Sequence, residues 1–405
     1  MAAYLPLELI TEILTKLPVK SLHRFKCVSK SWNSIITSSK FIKQHLHQTL
    51  ISNTNTNIMI STNYIVSSAI STVKFRFEIV NHPLDHLPNR SPGTITGSVH
   101  GVFLLIDSST KTLCLFNPSN KTQRLIPPSP SRKPAVVFKL VEVFGFGYDG
   151  ITDDYKVVRL AEWEIFGYFD RESSVYSMRN DSWESVNDET VSYTLQEFNG
   201  VAVDSTFWFV MSSSNSDSML KCFDLRTSTF SLVDFPDLDN DIGEVMVSLR
   251  SLRGCLCLLV SYHKYRADPD NKFTGNPFYN HEFLYADVWE MNESKWVKLF
   301  KIRKNEIRKD CMYLRLVTYS KDMKSVLIEV DSNWYGWYDL VTKKFKRVPV
   351  QGLEAVEDSP YVAYPYVETL VSVVNNKVVS KKGGTRPKMI IKKNDFLSSG
   401  FKLKL

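Results

Sequence analysis

The sequence predicts an α+β multidomain protein: a three-helix module at the N-terminus, then an all-β, propeller-like domain of about six blades. Apolar residues recur at helical spacing between residues 5 and 36, this periodicity has ended by about residue 58, and one short aromatic pattern then returns five times. The predicted domains are a helical module at 1–50, a β domain at 51–376 and a basic, disordered tail at 377–405.

The first predicted helix begins near Pro6, because a first helical turn tolerates proline, and Pro18 ends it. A second short helix starts near Lys20, and Ser29 is a candidate cap for a third. The apolar residues that recur at helical spacing are Leu9, Ile10, Ile13, Leu14, Leu17, Leu22, Phe25, Val28, Trp32, Ile35 and Ile36. Three short helices cannot bury this many apolar side chains alone, so the pattern predicts a partner. The alternative is a helical hairpin packed on the body of the same chain.

The run LPLELITEILTKLPVKSLHRFKCVSKSW at residues 5–32 resembles a plant F-box. The resemblance implies that the helices dock on a Skp-family adaptor and, through it, on the cullin and RING subunits of a ubiquitin ligase. By position in the motif, the residues implied to pack at the adaptor or inside the module are Leu5, Pro6, Leu9, Ile13, Leu14, Leu17, Leu22, Val28 and Trp32. The motif leaves open which of them face the adaptor and which hold the helices together.

Composition excludes several classes of protein. Of the 405 residues 43% are apolar, which supports a sizeable core. No apolar run reaches the ~20 residues of a membrane span, and the N-terminus lacks the order of a signal peptide, so we expect a cytoplasmic or nuclear protein without a membrane partner. The cysteines, at positions 27, 114, 222, 255, 257 and 311, form no C-x-x-C pair. We expect reduced thiols, no metal and no cofactor.

The charge of the chain is unevenly distributed. The formal net charge is +7: residues 1–50 hold seven Lys/Arg against two Glu, residues 377–405 hold nine Lys/Arg against one Asp, and residues 51–376 therefore carry −6. A basic helical module would associate faster with an acidic adaptor. The lysine pairs of the tail loosely resemble a bipartite nuclear signal, and the alternative is a solvated tail.

One eight-residue pattern recurs in the β domain. Its copies are FNPSNKTQ (116–123), YSMRNDSW (176–183), FDLRTSTF (223–230), WEMNESKW (289–296) and YDLVTKKF (338–345). Every copy begins with an aromatic residue, and four copies end with another one seven positions later. A tight turn between two such positions places them opposite each other on one face of a hairpin, so we predict cross-strand aromatic pairs. Gln123 ends the first copy and breaks the rule.

Each copy follows an apolar, strand-like run, and the copies are spaced by about 47 to 66 residues, in or above the range of propeller blades. We expect residues 58–80 and 361–374 to share a closing blade, which gives about six blades, with a two-sheet sandwich as the alternative. The phrases GFGYDGITDDYKVVRL (145–160) and YADVWEMNESKW (285–296) make this body similar to the kelch-like F-box-associated domain of plant F-box proteins. The double glycine of true kelch repeats is missing.

The segment GFGYDG (145–150) fits the G-x-G-x-x-G fingerprint of phosphate-binding loops. That fingerprint requires a helix N-terminus directly after it, whereas Asp153, Asp154 and a strand-like run follow here. We interpret the segment as a turn between two strands. No residue is a candidate for catalysis, because the carboxylates form no recognisable acid–base pair and no nucleophile motif occurs.

These observations favour a non-catalytic substrate receptor of an SCF-type (cullin-RING) ubiquitin ligase, in which the F-box binds the adaptor and the β domain binds a target protein. The alternative is a propeller enzyme, for example a sugar-processing one, with a helical appendage. Binding of nucleic acid by the tail has little support, since only Phe396 and Phe401 interleave its basic residues. Similar F-box proteins include regulators of immune-receptor turnover and pollen S-locus proteins that recognise style ribonucleases, and the sequence leaves both target classes open.

Strand parity predicts where the target binds. Successive connections of an antiparallel blade alternate between its two ends, so the tight hairpins of the five copies lie at one end. The irregular connections before those hairpin strands, residues 162–172, 212–218 and 263–282, then lie at the other end. Their aromatic residues, which we predict to bind the target, are Trp163, Phe166, Tyr168, Phe169, Tyr265, Phe273, Phe278 and Tyr279. The alternative is that these side chains fold back over strand edges.

Overall fold

The computed structural model describes residues 6–374, apart from 53–55, 62–63, 85–92, 108, 134–136, 138, 189–193, 196–199, 213–217, 240–243, 266–280, 309–310, 332–333 and 353–361. The predicted basic tail lies outside these residues. Among the helices within these ranges, none has the length and apolar character needed to cross a membrane.

Four helices open this part of the chain: α1 Leu7–Thr15, α2 Val19–Phe25, α3 Lys30–Thr37 and α4 Ser39–Ser52. Pro6 and Pro18 directly precede α1 and α2. The Ser29 hydroxyl oxygen accepts a hydrogen bond from the Trp32 amide at 3.1 Å, which confirms the predicted cap of α3. Helix α4 adds to the three predicted helices and leads the chain from the helical module to the first strand.

Most of the remaining described chain forms antiparallel sheets, which we call blades; five of them have four strands and one has five. Blade 1 consists of β5 Gly93–Val99, β6 Val102–Asp107, β7 Leu113–Asn117 and β8 Thr122–Ile126. Blade 2 consists of β9 Lys139–Asp149, β10 Asp154–Ile165, β11 Tyr168–Ser177 and β12 Ser182–Val186. Blade 3 consists of β13 Thr194–Leu195, β14 Val201–Val203, β15 Thr206–Ser212, β16 Ser218–Asp224 and β17 Thr229–Val233.

Three further blades follow. Blade 4 consists of β18 Glu244–Leu252, β19 Cys255–Tyr265, β20 His281–Asn292 and β21 Lys295–Arg303. The short helix α5 Lys304–Ile307 leads to blade 5, which consists of β22 Leu314–Tyr319, β23 Ser325–Val330, β24 Trp334–Asp339 and β25 Phe345–Val348. Blade 6 combines β1 Thr56–Ser61, β2 Ile65–Ala69 and β4 Glu78–Val80 with β27 Ala363–Val367. Strands β3 Phe75–Arg76 and β26 Val350–Gln351 form a separate parallel pair.

The six blades close into a ring, which makes the domain a six-bladed propeller. The innermost strand of each blade contacts that of the next: β5 with β9, β9 with β14, β14 with β18, β18 with β22, β22 with β27, and β27 with β5. Within blade 6 the strand order is β27-β1-β2-β4, so the two ends of the domain share one sheet. The predicted closing blade is confirmed, and the alternative of two packed sheets is wrong.

The predicted cross-strand aromatic pairs are present in three of the four complete copies. The directly opposed pairs are Tyr176 with Trp183, Phe223 with Phe230, and Tyr338 with Phe345. The ring centroids of the first two pairs are 5.5 Å and 4.7 Å apart. Each pair fixes the last hairpin of its blade.

The predicted pair of Trp289 with Trp296 is wrong. Trp289 lies opposite Lys298, and Trp296 lies opposite Met291. The turn in this hairpin has only two residues, Glu293 and Ser294, both with positive φ (46° and 66°), and a bulge follows Val288. Instead, the Lys298 ammonium lies over the Trp289 ring, 4.8 Å from the ring centroid.

The prediction of a turn for GFGYDG is right only for its last residue: residues 145–149 end strand β9, and Gly150 begins the turn. The first two glycines of the segment serve close packing. A Cβ atom on Gly145 would lie 2.4 Å from the Phe207 ring, and one on Gly147 would lie 2.3 Å from Leu225 Cδ1. Both contacts join the innermost strand of blade 2 to blade 3. Side chains at these two positions would force the blades apart.

Two tryptophans of the repeat connect neighbouring blades. The Trp183 indole N–H donates a hydrogen bond to the Pro127 carbonyl at 2.7 Å, and that of Trp296 donates to the Asp234 carbonyl at 2.9 Å. Pro127 and Asp234 lie directly after the last strands of blades 1 and 3. Each indole therefore holds the chain that leaves the preceding blade.

We expect Trp183→Ala and Trp296→Ala each to lower the free energy of unfolding by about 2 kcal/mol, since each loses a half-buried ring and an interblade hydrogen bond. Chemical denaturation followed by tryptophan fluorescence measures the change. Val341→Ala is the control, because that side chain is exposed on a hairpin turn. Equal denaturation midpoints for the parent and both tryptophan variants would show that these indoles do not stabilise the contact between blades.

Candidate functional site

The helical module leaves a group of apolar side chains in contact with solvent. Leu7, Leu9 and Ile13 of α1 are 51%, 47% and 54% exposed, and Val28, between α2 and α3, is 60% exposed. Leu9 and Ile13 are one helical turn apart and share one face of α1. Pro6, at the start of α1, is also exposed. Of the predicted adaptor-binding residues, Pro6, Leu9, Ile13 and Val28 are therefore exposed.

The other predicted residues of the module hold it together. Leu14 and Leu22 are fully buried in the core of the helices, and Leu17 and Trp32 pack against that core while partly exposed. The Trp32 ring meets the Phe25 ring edge-on, with centroids 5.5 Å apart. The structure thus separates the predicted set into an exposed group and a structural group. Leu5 lies outside the described residues.

The helical module is anchored on the propeller through α4. Ile42 and Leu46 pack against the core shared by blades 1 and 2. The Lys43 ammonium pairs with the Asp153 carboxylate at 2.6 Å, in the turn between β9 and β10. Within the module, His45 Nε2 lies 2.9 Å from the Leu17 carbonyl oxygen. Packing on the chain's own body, the alternative interpretation of the apolar stripe, therefore holds in part: α4 packs on the propeller, and Leu370 belongs to the same core as Leu14 and Leu22.

The helices sit at a defined end of the propeller. The antiparallel register places the turns after β7, β11, β16, β20 and β24 at one end, together with the β9–β10 turn that contacts Lys43. We call this the hairpin end. Connections that follow β6, β10, β15, β19 and β23 emerge at the opposite end, which faces away from the helices. The predicted division of connections between two ends is confirmed.

A hairpin with exposed aromatic side chains projects at the opposite end. Strands β10 and β11 continue to Ile165 and Tyr168, where Phe166 and Gly167 form a two-residue turn with φ of 48° and 83°. Phe166 and Tyr168 are each 80% exposed, and Phe169 is 53% exposed. An ion pair between Arg171 Nε and the Glu162 carboxylate, at 2.7 Å, supports the base of the hairpin.

The expectation of an irregular connection over residues 162–172 is wrong, and so is the placement of Trp163 on the exposed surface. The run continues the ladder of β10 and β11, because its aromatic and β-branched residues favour strands and the Phe-Gly pair accommodates a tight turn. Trp163 lies between Leu140 and Asp170 in the sheet and is fully buried. Its role is therefore in packing.

The other predicted aromatic residues lie at or beyond the edge of what the structure describes. Tyr265 is the last residue of β19. Phe273, Phe278 and Tyr279 fall within residues 266–280, outside the described residues, as does the segment 213–217 of the second predicted connection. Their assignment to target binding stays a prediction.

An open concavity of about 550 Å³ lies at the same end, between the start of β20 and the end of β21. It is lined by Leu284, Tyr285, Lys301, Arg303, Lys304 and Asn305. The Lys301 ammonium lies 3.7 Å from the centroid of the Tyr285 ring. Burial, and then the nearby Asp239 carboxylate, raise the pKa of Tyr285 to about 12, so its hydroxyl is a neutral donor. Sequence reasoning missed this feature, whose signal is the basic run KWVKLFKIRK at 295–304.

Cys114, Cys257 and Cys311 of the propeller are buried thiols, whereas Cys222 and Cys255 are partly exposed. Burial raises the pKa of Cys114 and Cys257 to about 12, so both are protonated at neutral pH. Across the described ranges, no three His, Cys, Asp or Glu side chains are grouped as metal ligands.

Comparison with known proteins matches the two parts of the chain separately. Residues 4–44 match the F-box domain family, and residues 50–373 match the F-box associated beta propeller domain. The F-box protein CPR1 of Arabidopsis thaliana is 28% identical over the full length of both chains. An F-box/kelch-repeat protein of the same plant is 30% identical and aligns with 74% of this chain and 79% of its own. The chain therefore belongs to the family of F-box proteins that carry an F-box associated β-propeller.

Proposed function

We propose that this chain is the substrate receptor of an SCF-type cullin-RING ubiquitin ligase. The observation that carries the proposal is the exposed apolar group of the F-box, Leu7, Leu9, Ile13 and Val28, in a module that is anchored to the propeller through α4. Apolar side chains exposed together mark a protein interface. An F-box implies a Skp-type adaptor as the partner, and the adaptor in turn recruits the cullin and RING subunits.

The arrangement of the two domains supports a receptor that acts by proximity. The F-box occupies the hairpin end, so an adaptor bound there leaves the opposite end free for a target protein. The chain then supplies binding, and the transfer of ubiquitin takes place on other subunits. The alternative of a sugar-processing enzyme is not favoured, because an F-box together with its associated propeller spans nearly the whole chain.

Reconstitution from purified components tests the adaptor part of the proposal. The full chain, a Skp-family adaptor and the N-terminal half of a cullin are mixed and separated by size-exclusion chromatography. We expect the three proteins to elute together, and the cullin to require the adaptor for co-elution with the chain. Elution of the chain apart from every adaptor offered would overturn the proposed function.

The exposed hairpin of blade 2 gives a test of the target end. We expect the triple variant Phe166→Ser, Tyr168→Ser, Phe169→Ser to keep its stability and adaptor binding, because all three side chains are exposed far from the F-box. Loss of three aromatic contacts should weaken target capture by about 100-fold or more. Proximity labelling with a biotin-ligase fusion compares the parent, the triple variant and the control Val341→Ser. An unchanged set of labelled proteins would move the target site away from this hairpin.

A further inference from the structure

The segment that follows the closing strand β27 lies between the F-box and blade 1. Thr369, Leu370, Val371 and Val373 are all buried. Leu370 belongs to the same apolar core as Leu14 and Leu22 of the F-box helices. Val371 and Val373 pack into the core that blades 1 and 2 share. Residues 369–373 thus join the two domains through their interiors.

The polar contacts of this segment come from the hairpin of blade 1. The Asn117 amide donates hydrogen bonds to the carbonyl oxygens of Thr369 (3.2 Å) and Val371 (2.8 Å), and that of Asn120 donates to the Val371 carbonyl at 2.5 Å. The Thr369 hydroxyl donates to the His100 carbonyl at 2.7 Å. Both asparagines belong to FNPSNKTQ, the copy of the repeat that lacks its second aromatic residue.

The backbone of blade 1 is also shaped to receive the segment. Gly101 has φ of 73°, and a Cβ atom there would lie 2.3 Å from the Val367 carbonyl oxygen and 3.0 Å from the Thr369 hydroxyl. A side chain at this position is excluded by both the conformation and the contact. Three features of blade 1, Asn117, Asn120 and Gly101, therefore fit the same segment.

We propose that residues 369–373 complete the core of the F-box, so that stable docking on the adaptor requires the closed propeller. The inference rests on the proposed function. Helices α1, α2 and α3 have nine, seven and eight residues, lengths at which isolated helices are marginal and depend on packing. Leu370 supplies part of that packing from the far end of the sequence. A chain that ends before residue 369 retains every F-box residue but lacks this contact.

The test uses the full chain with Leu370→Ser, and with Leu370→Met as the conservative control. The dissociation constant for a purified Skp-family adaptor is measured by calorimetry, and amide hydrogen exchange is followed in α1–α3 and in β15, β19 and β23. We expect Leu370→Ser to raise the dissociation constant by about tenfold or more, because fewer molecules hold the docking conformation. Exchange should accelerate in α1–α3 but not in the three strands, and Leu370→Met should restore both readouts.

A milder variant covers the case in which Leu370→Ser also unfolds the propeller. Asn120→Ala removes the hydrogen bond to the Val371 carbonyl, together with the two that the Asn120 side-chain oxygen accepts from Thr122 within the turn. We expect faster exchange in α1–α3 with protected strands. Parent-like affinity and parent-like exchange of α1–α3 in the folded variants would overturn the inference and leave the proposed function intact. If the parent binds no adaptor, the proposed function fails, and the exchange of α1–α3 still decides whether the segment completes the F-box.

Discussion

Replacing Leu9 and Ile13 together with aspartate should abolish binding of the adaptor while the chain stays folded. Both side chains point away from the core of the F-box, so two carboxylates there remain hydrated in the free protein. In a complex they would be desolvated against an apolar surface without partners, which costs several kcal/mol for each charge. We expect a loss of affinity of about 1,000-fold or more, measured by calorimetry with a purified Skp-family adaptor.

The matched control places the same charge at an exposed apolar position outside the F-box. Val341, in the turn between β24 and β25, is more exposed than either helix residue, so Val341→Asp tests the effect of the charge alone. Circular dichroism melting of all the variants verifies that they are folded. Adaptor affinity within threefold of the parent for a folded Leu9→Asp, Ile13→Asp chain would place the docking surface elsewhere.

The F-box shows how far helical spacing alone can be used. The pattern correctly predicted the three helices, their proline boundaries and the Ser29 cap. It could not separate Ile13 from Leu14, because neighbours in sequence point about 100° apart on a helix and both positions fit an apolar stripe. Which of them is buried is decided by α4 and by Leu370, whose contacts no local pattern reveals. The sequence pattern placed the whole module within residues 1–50, because it carries no signal for the contact with Leu370.

The propeller was predictable from the sequence because its repeat combines a strand, a turn and a second strand in fixed order. The pairs at Tyr176, Phe223 and Tyr338 follow from one register. Trp289 does not follow this register, because its hairpin has a two-residue turn in place of a four-residue turn. The shorter turn moves the residue opposite Trp289 by two positions, from Trp296 to Lys298. An even displacement keeps the side chains on the same face. The sequence therefore predicted correctly which face of the blade these side chains occupy, although the predicted pair of Trp289 with Trp296 was wrong.

The sequence predicted correctly that the hairpin with Phe166 lies at the opposite end of the propeller. It predicted incorrectly that the segment is irregular and that Trp163 is exposed. Strand parity is a topological rule and does not depend on side chains, so it placed the hairpin with Phe166 correctly. Whether a particular aromatic residue is exposed depends on where the ladder stops. Trp163 is within the ladder and Tyr168 is at its last pair, a difference of a few residues that sequence reasoning does not resolve.

The second large effect that we expect concerns the seam of the ring. Glu329 of β23 is fully buried, and its carboxylate accepts hydrogen bonds from Arg315 Nη1 at 2.7 Å and from the Ala363 amide at 3.1 Å. Ala363 is the first residue of β27, so this carboxylate connects blade 5 to the strand that closes blade 6. Glu329→Ala should lower the free energy of unfolding by about 3–5 kcal/mol, because a partly buried guanidinium loses its carboxylate and a buried amide loses an acceptor.

Chemical denaturation of the full chain measures this effect, with the exposed pair of Glu12 and Lys16 as the matched control. Those side chains are joined at 2.9 Å but remain about 60% exposed, and Glu12→Ala should cost less than about 1 kcal/mol. The contrast follows from burial, since the two ion pairs have similar lengths. Because the seam joins strands from both ends of the domain, Glu329→Ala should also accelerate hydrogen exchange in β1 and β27 more than in β19. A denaturation midpoint for Glu329→Ala equal to that of Glu12→Ala would show that closure of the ring by β27 does not depend on the Glu329 carboxylate.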